Sequence, residues 1–138
     1  MRSAEIPYHP EADLTTDSLI RVYTCVTVLE KLRDIIREWR ISCKRSQENP
    51  KKVNMTQCPP ACLSVVRRRI QNTLHSIEGG HKRASFAFVE AIGWIDEELQ
   101  AHKDEFTGVE TRADKAYSRR LQKALSEAVT LRNRIANQ

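Results

Sequence analysis

Apolar residues recur at helical spacing along most of the chain. Val22, Cys25, Leu29, Leu32, Ile36, Trp39 and Cys43 follow one another at alternating intervals of three and four. That is the a/d stripe of a heptad helix. Val28 and Ile35 widen it into the broader face that a bundle helix buries. Thr15, Thr16 and Asp17 offer cap oxygens, so the spacing predicts a first helix over 16–43. Residues 44–57 are polar and contain Pro50, which reads as a long loop.

A second stripe runs through Leu63, Val66, Ile70, Leu74 and Ile77, with Thr73 beside Leu74. Pro59 and Pro60 suit the first turn of its helix. Gly79 and Gly80 then interrupt the chain, yet the stripe continues in phase through His81, Ala84, Phe88, Ala91, Ile95 and Leu99. Each glycine inside a helix costs roughly 1 kcal/mol relative to alanine. The pair therefore favours two helices, 60–78 and 81–103, over the alternative of one long helix over 60–103. Thr107 and Glu110 fit a capping box. Behind them Ala113, Tyr117, Leu121, Ala124, Ala128, Leu131 and Ile135 mark a last helix over 108–136. The expected architecture is all-α: a bundle of three to four helices in one domain over 15–138, preceded by a flexible segment over 1–14.

Composition supports this. The chain has 138 residues, 40% hydrophobic and 30% charged, enough apolar content for one folded domain. Only four glycines and five prolines are present, too few for a many-turned β fold. No run approaches the roughly 20 apolar residues of a membrane span, and no membrane partner is expected. Residues 1–13 carry acids and prolines where a signal peptide would carry an apolar core. The expected setting is intracellular, in the cytoplasm, with the four cysteines as thiols.

The net charge of +5 is distributed in blocks. Residues 31–52 are strongly basic and residues 84–105 strongly acidic. Asp96, Glu97, Glu98, Asp104 and Glu105 crowd the end of the third helix, where acids oppose the helix dipole. A compensating cation is required, and the basic last helix, packed antiparallel, is a candidate. The basic residues Arg67, Arg68, Arg69, Lys82, Arg83, Arg119, Arg120 and Lys123 are candidates for gripping a nucleic-acid backbone, which attracts such a row without sequence readout.

Catalytic patterns are missing. The one Gly-Gly pair lacks phosphate-loop or dinucleotide spacing, and no serine sits in a nucleophile elbow. Cys58 and Cys62 are four apart, and no second cysteine pair follows at zinc-ribbon spacing. His75 and His81 would complete a Cys/Cys/His/His set only if the chain bends at the glycines. His75 and Glu78 stand in the reverse of the di-iron order and occur once. No catalytic residue, metal ligand or cofactor is expected. Phe86 and Phe88, two apart, must face different sides of one helix, which hints at an oligomer interface. The sequence thus leads first to a non-enzymatic protein acting by protein–protein association, as adaptor, inhibitor or assembly subunit, with self-association included. Binding to duplex RNA or DNA is the second reading. A metal-binding or enzymatic bundle is the third.

Overall fold

A computed structural model describes residues 16–48, 59–79, 83–107 and 112–137. Five helices occupy them: α1 (Thr16–Glu48), α2 (Cys62–Gly79), α3 (Ala84–Ala101), a single-turn α4 (Lys103–Thr107) and α5 (Arg112–Ala136). The all-α bundle read from the spacing is the observed fold.

Four long helices form a ring. α1 packs against α2 and α5, and α3 packs against α2 and α5. The pairing is antiparallel around the ring. Lys31 meets Glu127 and Glu38 meets Arg120 as α1 and α5 run in opposite senses. Arg69 meets Trp94, and Cys62 lies near His102, as α2 runs against α3. The result is an up-down-up-down bundle, the arrangement short connections favour.

The single long helix over 60–103 is not formed. α2 ends at Gly79 and α3 starts at Ala84. The physical reason is mutual burial. Folded back on each other, α2 and α3 hide Val66, Ile70, Phe88 and Ile95 in one core; a continuous rod would leave half of that stripe in water. The glycine pair weakens the helix at the point where this reversal occurs.

One boundary differs: α1 continues five residues past Cys43, through part of the expected loop, to Glu48. Thr107 closes α4, α5 is described from Arg112, and the expected start near 108 lies outside the described residues. Pro59 and Pro60 lead into α2 as expected, and the Pro60 carbonyl accepts from Leu63 N–H at 3.0 Å. The Thr15 cap, the flexible segment over 1–14, residues 49–58 with Cys58, the His81–Lys82 pair and Glu110 lie outside the described residues.

The core follows the stripes. Cys25, Leu29, Ile36, Trp39, Leu63, Val66, Ile70, Phe88, Ile92 and Ile95 are fully buried. Two polar residues join them on α5, Asp114 and Ser118. Trp39 Nε1–H donates to Asp114 Oδ1 at 2.7 Å, and the Trp39 ring stacks on Tyr117 at 6.0 Å between centroids. Phe106 of α4 closes the other side at 6.5 Å. A buried indole N–H needs an acceptor. That need explains why the first turn of α5 turns Asp114 inward while Ala113 and Tyr117 are only half-buried; Ser118, one turn on, accepts from Gln122 at 3.0 Å. Among the described residues no helix is long and apolar enough to cross a membrane.

Candidate functional site

The basic residues singled out by the sequence separate onto different seams. Arg67 faces α1. Arg68 is exposed on α2, and Arg69 lies over the Trp94 ring at 5.5 Å. Arg83 is exposed at the start of α3. Arg119 is exposed on α5. Arg120 pairs with Glu38 at 3.3 Å and covers Tyr117, and Lys123 lines the α1–α5 seam beside Asp34 and Glu38. Lys82 lies outside the described residues. Among the described residues, Arg67, Arg68 and Arg69 are on α2 while Arg119, Arg120 and Lys123 are on α5.

A different set of cations does converge. Arg37, Arg40 and Lys44 from α1 and Arg67 from α2 line a groove of about 310 Å³, with Ile41 as its fifth wall. The spacing explains the grouping. Positions 37, 40, 41 and 44 recur at three and four and so share one face of α1. That face looks outward past α2. Among the described residues no carboxylate lines the groove. Arg67 Nε is buried and, among the described residues, has no hydrogen-bond partner. Buried polar groups are nearly always paired, so such an atom calls for a reason. Ile41 is 41% exposed at the groove. The α1–α5 seam is the opposite case: Glu30, Lys31, Asp34, Glu38, Arg120 and Lys123 line it with both signs, and two ion pairs, Lys31–Glu127 and Arg120–Glu38, cross between the helices.

The acids at the end of α3 are compensated from their own corner. His102 follows α3 directly. Its Nε2 bonds Glu98 Oε1 at 2.9 Å and its Nδ1 bonds Glu105 Oε2 at 2.5 Å. The hydrogen bond to Glu105 raises the His102 pKa, against partial desolvation, and the charge of Glu105 and the contact with Glu98 add to the rise. A cation at a helix C-terminus also suits the dipole. Lys31–Glu127 and Arg120–Glu38 are ion pairs between α5 and α1.

Cys62, the first residue of α2, lies against this corner. Its Sγ, a His102 ring nitrogen and a Glu105 carboxylate oxygen are all within 4.8 Å of one another. Burial pushes the Cys62 thiol up to about 11, with further raising by Glu105 and Glu98. The sequence reading paired Cys62 with Cys58, His75 and His81. His75 is exposed on the far half of α2, and the other two lie outside the described residues. Its neighbours here, His102 and Glu105, are 40 and 43 positions further along the chain. Only the spacing of Glu98, His102 and Glu105, four and then three apart on a helical stretch, carried any signal of them.

Cys25, Cys43 and Cys62 are thiols, all buried. Phe86, expected to find cover, is 57% exposed. The described residues thus form an up-down-up-down helical bundle with a groove lined by four cations and a Cys/His/Glu corner. No family model, curated protein or solved structure matches it.

Proposed function

We propose that this protein is a non-enzymatic helical binding protein that acts by protein–protein association. In this reading the basic α1–α2 groove receives an acidic segment of the partner. The observation that carries the proposal is the groove itself: Arg37, Arg40, Lys44 and Arg67 around Ile41, with no carboxylate among the described residues that line it. Arginines take carboxylates in bidentate pairs, stronger than neutral hydrogen bonds. Arg67 brings a guanidinium from α2 to the same groove, opposite the three cations of α1. Ile41 offers an apolar foothold that a short acidic-apolar segment can use. A second copy of the chain, through its acidic α3–α4 corner, belongs to the same class of partner. An intracellular setting goes with this reading, since three of the cysteines are buried thiols.

Size separates this reading from duplex nucleic acid. Residues 37–44 rise only about 10 Å along α1. Duplex readers that work by shape span about 16 base pairs. The remaining basic residues sit on other seams, several already paired with acids. The Arg67 guanidinium would suit a phosphate oxygen too, and it keeps duplex RNA or DNA as the second reading.

Fluorescence anisotropy with two probes tests the choice. One is a labelled 16-residue peptide of glutamate and leucine at helical spacing; the other is a 20-base-pair RNA duplex of random sequence. The expected result is salt-sensitive binding of the peptide that an Arg40→Glu/Arg67→Glu variant loses. Tighter binding of the duplex, lost in the same variant, would transfer the groove to nucleic acid. No binding of either probe would remove the proposal.

A further inference from the structure

We propose that Cys62, His102 and Glu105 form a binding site for a zinc-class divalent metal ion at the corner where α2 begins and α3 passes into α4. The three ligand atoms, a thiol sulfur, an imidazole nitrogen and a carboxylate oxygen, lie within 4.8 Å of one another. Zinc binds such donors at about 2.0–2.3 Å, so ligand atoms around one tetrahedral ion stand roughly 3–4 Å apart; the set reaches that spacing when the sulfur draws in and the His102–Glu105 contact opens, each by about 1 Å. Thiolate and imidazole together select zinc and its neighbours over magnesium and calcium, which take oxygen.

A second observation concerns the other ring nitrogen. His102 Nδ1 faces Glu105, while Nε2 lies 2.9 Å from Glu98 Oε1. Metal-bound histidines commonly donate their remaining N–H to a carboxylate, which fixes the tautomer and turns the ring toward the ion. Glu98 already stands in that position. Without an ion, the proton on Nδ1 bridges to Glu105; a dication takes the place of that proton and of the thiol proton, and both are released to solvent.

The three ligands come from separate elements. Cys62 is the first residue of α2, His102 joins α3 to α4, and Glu105 is on α4. An ion here ties the start of α2 to the α3–α4 corner. That corner carries Phe106, which packs on Trp39. Three protein ligands leave a fourth position to water or to an external donor. The site is separate from the basic groove and does not depend on it.

Cobalt(II) titration of the full chain, reduced with a phosphine and followed by absorption, tests this. The expected result is one equivalent of cobalt giving a thiolate-to-cobalt charge-transfer band with the visible bands of four-coordinate cobalt, and displacement by zinc. Cys62 is buried, and Cys62→Ser risks the fold. The half-exposed ligands give the cleaner variants: His102→Asn and Glu105→Gln should abolish the bands with the helical circular dichroism unchanged. Glu98→Gln should weaken binding about 10–100-fold, and Glu97→Gln should leave it unaltered. Absence of bands at a tenfold excess of cobalt overturns the proposal. So do bands that survive in both His102→Asn and Glu105→Gln.

Discussion

Trp39 and Asp114, 75 positions apart, are joined inside the bundle by an indole N–H donating to a carboxylate oxygen at 2.7 Å. Trp39 is fully buried and Asp114 is 1% exposed. The bond fixes the register of α5 against α1, because it sits below the stacked ring of Tyr117 one turn further on. Asp114→Asn keeps an acceptor and should cost about 1 kcal/mol. Asp114→Ala strands the N–H and should cost about 2–3 kcal/mol in urea denaturation. A double-mutant cycle with Trp39→Phe should be non-additive by more than about 0.5 kcal/mol, as for any contacting pair.

Phe86 and Phe88 should separate sharply. Phe88 is fully buried and Phe86 is more than half exposed. Phe88→Ala should cost about 3–5 kcal/mol. Phe86→Ala should stay within about 0.5 kcal/mol, the range of surface positions. Equal effects in urea denaturation would mean that α3 is rotated from the phase described here.

Most of this phase was legible in the sequence, because burial of leucine, isoleucine and tryptophan at intervals of three and four leaves a pattern no other element produces. The α2–α3 reversal was not legible with the same force. The stripe keeps phase across Gly79, and two helices facing one core look like one helix. Asp114 and Ser118 were invisible because polar residues carry no periodic signal, and Asp114 is held inside by the indole across the bundle. The Cys62–His102–Glu105 corner exists only once α2 lies antiparallel to α3. The basic character of residues 31–52 was plain, but the groove needed Arg67 from a second helix.

Cys25 gives the pH dependence its sign. Burial raises this thiol from an ordinary 9.0 to about 11, against lowering by Arg21. A group whose folded pKa is raised keeps its full contribution below the unfolded value and loses it as pH rises toward the folded one. The protein should therefore lose stability between pH 9 and about 11, by up to about 2–3 kcal/mol from this thiol. Comparison with Cys25→Ala over that range isolates it: the difference in stability between the two proteins should shrink as pH rises. A difference that stays flat contradicts the assignment.

The exposed ion pairs should matter little. Lys31–Glu127 and Arg120–Glu38 have side chains about half exposed. Double-mutant cycles on either should give about 0.2–1 kcal/mol, falling further in high salt. Their role is to set which faces of α1 and α5 are charge-balanced, leaving the α1–α2 groove, among the described residues, as the unbalanced one.

That groove is the central claim, and backbone amide NMR of the full chain during titration with the glutamate–leucine peptide reads it most directly. The account predicts shift changes concentrated at residues 37–44 of α1 and around Arg67 of α2, disappearing in Arg40→Glu/Arg67→Glu. Shifts that instead follow α5 and the α1–α5 seam, or no shifts at millimolar peptide, would contradict it.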